Sequence, residues 1–459
     1  MNLAGTYADI QDVYQADQRP WVLGYSGGKD STTALQLVWQ AIERLDASVR
    51  RKPIYVLSSN TLVESPIIVR YIQENIAKIN LLAKAQALPI EASLVEPLID
   101  ESFWVNVMGR GYPTPSNTFR WCTDRLKISP ANRFIKDQVA RFGEVVLLLG
   151  VRKAESATRS QVMALHSIKG SRLRTHSTLN GAFVFAPIED WVTNDVWSFL
   201  LQNSETPWGS DNNDLAAMYR SADGECPLVV DTSTSSCGSS RFGCWVCTVV
   251  SRDKSMQAMV DAGQAPWMEN LLEIRDFLAD TQSAEGKKAS RTIRKLDGRI
   301  LLKDSGDEAA LGPYTLEFSK NLLRKLLTVQ RDLPVEADGF EIISEAELLA
   351  IRGIWRNQRH DWEDSLPQIY EEVLGKRFHA LSDGAGGALA DDAGLMAQVA
   401  AKHDLPPLLL RSLLDAERQS FGMARRVGIY DKLSSILNED WRSDAEVASD
   451  IHDLRMVEG

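Results

Sequence analysis

The chain has 459 residues, 44% hydrophobic and 25% charged, with a net charge of −11 and a pI near 5.2. That length holds two or three domains and a sizeable core, and the acidic balance excludes a chain that grips nucleic acid over its whole surface. No apolar run approaches the roughly 20 residues a bilayer span needs, and Met1-Asn2-Leu3-Ala4-Gly5 lacks the basic start and apolar core of a secretion signal, so a cytoplasmic protein is expected.

The first clear element is the short apolar run Trp21-Val22-Leu23-Gly24, read as a strand. Tyr25-Ser26-Gly27-Gly28-Lys29-Asp30-Ser31-Thr32 follows, and then the helical pattern Thr33-Ala34-Leu35-Gln36-Leu37-Val38. A glycine turn between a strand and a helix start exposes backbone N–H groups where the helix dipole is positive, which makes an anion site. Gly27 and Gly28 let the backbone approach a phosphate, Lys29 adds a point charge, and Ser26 and Ser31 add hydroxyls. The bland alternative is an ordinary turn. The motif is not a Walker loop, because no glycine stands five residues before Gly28.

Pro53–Leu57 reads as a buried parallel strand ending in the polar run Ser58-Ser59-Asn60-Thr61, where open α/β sheets bind ligands. A helix is expected from Pro66 to Ala87, and strands over Ile90–Val95, Glu144–Gly150 and Ala182–Ile188. Strands alternating with helices predict a doubly wound, mostly parallel five-stranded sheet. The Gly- and Pro-rich loop 109–117 leads into Phe119-Arg120-Trp121-Cys122-Thr123-Asp124-Arg125-Leu126-Lys127. Past the fourth strand, Arg152, Glu155, Ser156 and Arg159 share one face if that stretch is helical, and the guanidinium groups would clamp phosphate. From Asp100 to His176 there are 13 Lys and Arg against 6 Asp and Glu, a basic field suited to a polyanionic substrate or simply a solvated charged stretch.

Thr193 or Asn194 reads as the N-cap of a helix ending near Gln202. Residues 204–250 are rich in Ser, Gly, Asn, Asp and Cys. From Ser255 the periodicity is helical, as over Met268–Leu278, Thr315–Leu327, Ser344–Trp355, Ile369–Val373 and Pro407–Leu414, with a break at Gly384–Gly387. The expected division is 1–205, 206–254 and 255–459.

Four of the five cysteines run Cys226-x10-Cys237-x6-Cys244-x2-Cys247. The odd count argues against a disulfide framework. Four thiolates suit one metal site, and spacing alone leaves structural zinc and an iron–sulfur cluster both open. A redox dithiol at Cys244 and Cys247 would leave Cys226 and Cys237 unexplained. Cys122 stands apart beside Arg120, Arg125 and Lys127, charges that favour thiolate. It reads as a sulfur carrier or nucleophile, or as a small core residue beside Trp121.

Ser26–Ser31 resembles the signature of the ATP pyrophosphatases, the PP-loop family. With Arg120-Trp121-Cys122-Thr123 and Pro187-Ile188-Glu189-Asp190-Trp191, the likeness narrows to the phosphoadenosine-phosphosulfate reductase family. Tyr55–Glu64 and Ser240–Val250 are similar to one subgroup, the DndC-like sulfurtransferase component of the DNA phosphorothioation (Dnd) system. The resemblance covers Trp21 to Val250 and, by general layout, the helical remainder. It implies an adenine nucleotide α-hydrolase-like (HUP) sheet and a [4Fe–4S] cluster on Cys226, Cys237, Cys244 and Cys247. It also implies a cysteine desulfurase and other Dnd subunits as partners, with DNA as substrate. ATP would be split to AMP and pyrophosphate to adenylylate a DNA phosphate, and sulfur would replace a non-bridging oxygen. Ser26, Gly27, Gly28, Lys29, Asp30 and Ser31 would then hold the pyrophosphate with Mg²⁺. Arg152 and Arg159 would neutralise developing charge, Ser58 and Asn60 would face the adenosine, and Cys122 or the desulfurase would carry a persulfide.

Three rivals remain. A phosphoadenosine-phosphosulfate reductase would use a C-terminal Glu-Cys-Gly nucleophile, which Glu225-Cys226-Pro227 matches in part and mid-chain. A transfer-RNA thiolase often carries more CxxC pairs than this one. A nucleotide-sensing module that binds partners would release no pyrophosphate.

Overall fold

The computed structural model describes residues 2–155, 157–223, 243–263, 265–295, 299–302, 309–337, 339–378, 388–420, 428–442 and 446–447. The chain forms two compact units, one from Met1–Leu98 and Asn117–Leu272, the other from Ile99–Ser116 and Glu273–Gly459.

The first unit is α/β. Its order is α1 (Leu3–Gln15), β1 (Trp21–Gly24), α2 (Lys29–Glu43), β2 (Ile54–Ser59), α3 (Pro66–Ala85), β3 (Ile90–Val95), α4 (Ser129–Phe142) and β4 (Val145–Leu148). Then come α5 (Ala157–Leu165), β5 (Arg174–Thr175), β6 (Ala182–Phe185), α6 (Thr193–Gln202), α7 (Asn212–Asp223) and α8 (Lys254–Asp261). The strands lie in the order β3-β2-β1-β4-β6-β5. All pairings are parallel except β5–β6. The sheet thus has six strands rather than the expected five. The extra one is a two-residue edge strand, too short to leave a periodic signal in the sequence.

The central strands β1, β2 and β4 carry apolar residues on both faces, as helices on both sides require. Trp21, Leu23, Ile54, Val56, Val146 and Leu148 point to the side of α1, α2, α3 and α6. Val22, Leu57, Val145 and Leu147 point to the α4 side, against Ile135. Each such side chain contributes about 1.5–3 kcal/mol when fully buried. The order reverses at β1, between β2 and β4, and the carboxyl ends of strands at such a switch point form the ligand crevice. Helix α1 was not anticipated; it buries Thr6, Ile10, Val13 and Tyr14, and the Tyr14 hydroxyl donates to the Lys52 carbonyl at 2.8 Å.

The stretch after β4 departs from expectation. Arg152 lies outside any helix, Lys153–Glu155 is a single 3₁₀ turn, and α5 begins only at Ala157. Arg152, Glu155 and Arg159 therefore do not lie along one helix face, and Ser156 is outside the described residues. Helix α6 also differs at its start. Val192 is its cap residue, whose N–H donates to the Asp195 carboxylate at 3.1 Å.

The helices that follow are α9 (Glu269–Asp280), α10 (Ala284–Ser290), α11 (Leu316–Arg331), α12 (Glu345–Gln358), α13 (Ser365–Leu374), α14 (Ala388–Lys402), α15 (Pro407–Ser420) and α16 (Ile429–Leu437). Side-chain caps set two of their starts, as the spacing foretold. The Thr315 hydroxyl accepts the Phe318 N–H at 3.2 Å, and Ser344 and Glu347 form a reciprocal capping box. Within the second unit the Trp104 indole donates to the Ile342 carbonyl at 2.8 Å and the Trp355 indole to the Met108 carbonyl at 2.7 Å. The expected break at Gly384–Gly387 lies outside the described residues. No described helix is long and apolar enough to cross a membrane.

Candidate active site

The loop between β1 and α2 joins a glycine pair to the start of a helix. Gly27 has φ +70°, the left-handed region that glycine adopts without strain. Gly28 is the cap residue of α2 and brings no side-chain acceptor, so the first amides of the helix are not consumed by a cap. The Ser26 N–H donates to Ser31 Oγ at 3.2 Å, the two serine hydroxyls lie 3.1 Å apart, and the Ser31 hydroxyl donates to the Gly28 carbonyl at 3.0 Å. These short links hold the loop closed on itself.

Charge is arranged around Asp30. Lys29 Nζ is 2.9 Å from one carboxylate oxygen, and Arg152 Nε donates to the other at 2.7 Å. Arg152 is only 3% exposed; its guanidinium also donates to Thr193 Oγ1 at 3.1 Å and lies 3.8 Å from Glu155. Arg152, read apart from the motif that holds Lys29 and Asp30, thus meets that motif at one place. Gly150, after β4, fits against the same turn. A Cβ there would stand 2.6 Å from the Asp30 carbonyl oxygen.

A cavity of about 310 Å³ opens beside the loop at the switch point. Its wall includes Gly24, Ser26, Leu57, Ser59, Glu64 and Lys127. Ser59 lines it and Ser58 does not, because successive strand residues face opposite sides. Ser58 is buried on the α2 face, and its hydroxyl has no hydrogen-bond partner among the described residues. Asn60 is committed to the turn, where its side chain donates to Glu96 at 2.8 Å and accepts the Leu62 N–H at 3.0 Å. The strand period, with Val22 and Leu57 on the cavity side, was the signal that picks Ser59.

The CxxC turn sits against the segment after β2. Glu64 and Cys244 form an antiparallel bridge, and the Trp245 N–H donates to the Val63 carbonyl at 3.0 Å. Glu64 Oε1 accepts the Cys244 thiol at 3.7 Å and lies 3.2 Å from Lys127 Nζ. Thr61 Oγ1 is 3.4 Å from the same sulfur. Burial, then the neighbouring Glu64 carboxylate, pushes the Cys244 thiol well above its ordinary pKa. The Cys247 N–H donates to the Cys244 carbonyl at 3.0 Å, so both cysteines belong to one tight turn, as half of a four-thiol site requires. Cys226 and Cys237 lie outside the described residues. Among the described residues no three His, Cys, Asp or Glu side chains cluster to hold a metal ion.

Cys122 is half-buried at the start of the π-helical turn Thr123–Ile128 and is not on the cavity wall; Lys127, in that turn, is. Arg120 turns to the Asn117 side chain at 3.0 Å. Arg159 belongs to α5, and its side chain lies outside the described part.

Two tyrosines lie under the loop. A Cβ on Gly27 would stand 3.1 Å from the Tyr71 ring. Burial raises the Tyr71 pKa to about 12, and burial, then Tyr71, raises Tyr25 well above its usual value. A raised folded pKa means the unfolded chain loses its protons first. Stability is therefore expected to be complete below the unfolded tyrosine value near pH 10 and to fall as pH climbs towards about 12. Melting temperatures across that range check this, and Tyr71→Phe is expected to flatten the fall.

Residues 20–249, half of the chain, match the family model for the phosphoadenosine phosphosulfate reductase domain. An uncharacterized protein of Methanocaldococcus jannaschii is 25% identical over 193 residues, which are 42% of this chain and 34% of that one. The chain thus matches about a third of that relative's length. Among solved structures, a phosphoadenylyl-sulfate reductase from Candida auris in a phosphate complex is 14% identical with a TM-score of 0.29, over 47% of this chain and 91% of that one. An FMN adenylyltransferase from Candida glabrata with FAD and inorganic pyrophosphate is 13% identical with a TM-score of 0.27, over 44% of this chain and 58% of that one. Both TM-scores are too low to bear on the reading. The family match falls on the stretch that carries the loop 26–31, the Arg152–Asp30 pair, the cavity and the CxxC turn, and the chain belongs to the phosphoadenosine phosphosulfate reductase domain family.

Proposed function

We propose that this protein is an ATP pyrophosphatase and sulfurtransferase that adenylylates a DNA backbone phosphate for replacement of a non-bridging oxygen by sulfur. The observation that supports it most is the closed loop 26–31 with Lys29, Asp30 and Arg152 converging beside a cavity at the switch point. In the first step a phosphate oxygen of DNA attacks the α-phosphorus of ATP, and pyrophosphate leaves into the loop. Lys29, the α2 amides and Arg152 stabilise the charge that develops on it. A persulfide sulfur then attacks the DNA phosphorus and expels AMP, and a second thiol cleaves the resulting S–S bond. The persulfide belongs to a partner cysteine desulfurase or to Cys122, and other Dnd subunits supply the DNA grip that a net charge of −11 does not.

Mg²⁺ fits beside Asp30 only with the nucleotide phosphates as its main ligands, since both Asp30 oxygens already face cations. Cys226, Cys237, Cys244 and Cys247 are the proposed ligands of a [4Fe–4S] cluster, which would supply redox or sulfur chemistry. The described half fits, with two thiols on one turn.

Pyrophosphate release from ATP tests the reading. Lys29→Ala is expected to lower it by about 10²–10³-fold, and a variant as active as wild type would remove the loop from the reaction. Anaerobic purification with iron and zinc analysis tests the cluster, and stoichiometric zinc without iron overturns it. The family description favours a second reading, reduction of phosphoadenosine phosphosulfate. Sulfite release from that compound, without pyrophosphate release from ATP, would establish it.

A further inference from the structure

One hydroxyl at the loop comes from far along the chain. The Lys29 N–H, the first of α2, donates to Tyr219 Oη at 3.3 Å. A Cβ on Gly28 would stand 3.1 Å from that oxygen and 3.4 Å from Ser26 Oγ, so the phenol and the loop serine flank the same glycine. Lys29 Nζ lies 5.4 Å from the Tyr219 ring centroid. Backbone amide, ammonium and phenol therefore converge, and the phenol alone lies outside the motif.

The position of Tyr219 is fixed by structure around it. Trp197 on α6 meets its ring edge-on, 5.2 Å between centroids with an interplanar angle of 83°. The first turn of α7 is tied to α2 itself, since the buried Asn212 side chain accepts from Gln36 Nε2 at 3.1 Å. Asn212 also donates to the Asn203 carbonyl at 2.6 Å and the Leu200 carbonyl at 3.3 Å. The helix that carries the phenol is thus held to the helix that the loop begins.

We propose that Tyr219 is a phosphate ligand of this site. Its oxygen accepts the Lys29 N–H, and its own O–H donates to an oxygen of the phosphate chain seated on the loop. This rests on the reading of the loop given above. A phenol in this role adds a neutral donor opposite the serines and orients the Lys29 ammonium by its ring face. It would hold pyrophosphate as it leaves the α-phosphorus, and so touches the reacting molecule directly.

The test is calorimetric binding of inorganic pyrophosphate, ATP and adenosine to the full-length protein, for wild type, Tyr219→Phe and Lys29→Ala. Phe keeps the ring and its Trp197 contact and removes only the hydroxyl. Losing a hydrogen bond to a charged group is expected to weaken pyrophosphate and ATP by about 10- to 100-fold, with adenosine affinity and melting temperature unchanged. Pyrophosphate affinity equal to wild type in Tyr219→Phe overturns the assignment of Tyr219 alone. Equal losses for adenosine and pyrophosphate overturn it too, because they mark a structural role. Failure of wild type to bind pyrophosphate, or no effect of Lys29→Ala, overturns the loop reading itself and Tyr219 with it.

Discussion

Arg152→Ala is expected to lower pyrophosphate release from ATP by about 10²–10³-fold and to destabilise the fold by about 3 kcal/mol. The two effects share one cause. The Arg152 side chain is 4% exposed and that of Asp30 18%. Removing the guanidinium leaves Asp30 with Lys29 as its remaining cation and deprives the Thr193 hydroxyl of its donor. The stability loss falls at the lower end for a broken buried pair, because Asp30 keeps some solvent and the Lys29 ammonium. Arg152→Lys restores the charge but not the planar fork that reaches Asp30 and Thr193 together, so partial recovery is expected. Thermal unfolding and a coupled pyrophosphate assay separate the effects. A lower melting temperature with wild-type turnover would make Arg152 purely structural.

Gly150→Ala is expected to reduce pyrophosphate release by about 10²-fold and stability by about 1–3 kcal/mol. The added Cβ would stand 2.6 Å from the Asp30 carbonyl oxygen, 2.8 Å from its carbon and 3.0 Å from the Ser31 nitrogen. All three are backbone atoms, so no side-chain rotation relieves the clash, and the first turn of α2 must move away from β4. That turn carries the amides and the Lys29 side chain of the proposed pyrophosphate site. Gly353→Ala, in α12, is the control. Its Cβ would meet nothing within 4 Å, and near-normal activity is expected. Wild-type melting and turnover in Gly150→Ala would show that the loop tolerates displacement.

The parts legible in the sequence were those written in a local period or a contiguous motif. The apolar runs that become β1, β2, β4 and β6 needed no tertiary knowledge, and the helical spacing from Thr315 and from Ser344 placed the starts of α11 and α12 to within a residue. Gly27, Gly28 and Lys29 announced a tight turn into a helix by residue type alone. What stayed hidden depends on distant packing. Arg152 reaches Asp30 because an irregular turn after β4 carries it there, whereas the sequence pattern suggested a continuous helix. Tyr219 carries no signal, since its value comes from the contact between Gln36 and Asn212 across 176 positions. Glu64 and Lys127 gained meaning only when one carboxylate proved to accept from both Lys127 and Cys244.

Because the helical unit takes one piece from Ile99–Ser116 and the rest from Glu273 onward, no single cut releases it whole. A fragment starting at Glu273 lacks the Met108 carbonyl that satisfies the Trp355 indole, and one ending at Leu272 carries Phe103, Trp104, Val105, Val107 and Met108 without the partners they bury against. On the ribosome, at ~5–20 residues per second, that apolar piece emerges on the order of ten seconds before Glu273 follows. During that interval the apolar piece 99–116 has none of the partners it buries against, so its exposure is set by the time taken to translate the stretch between.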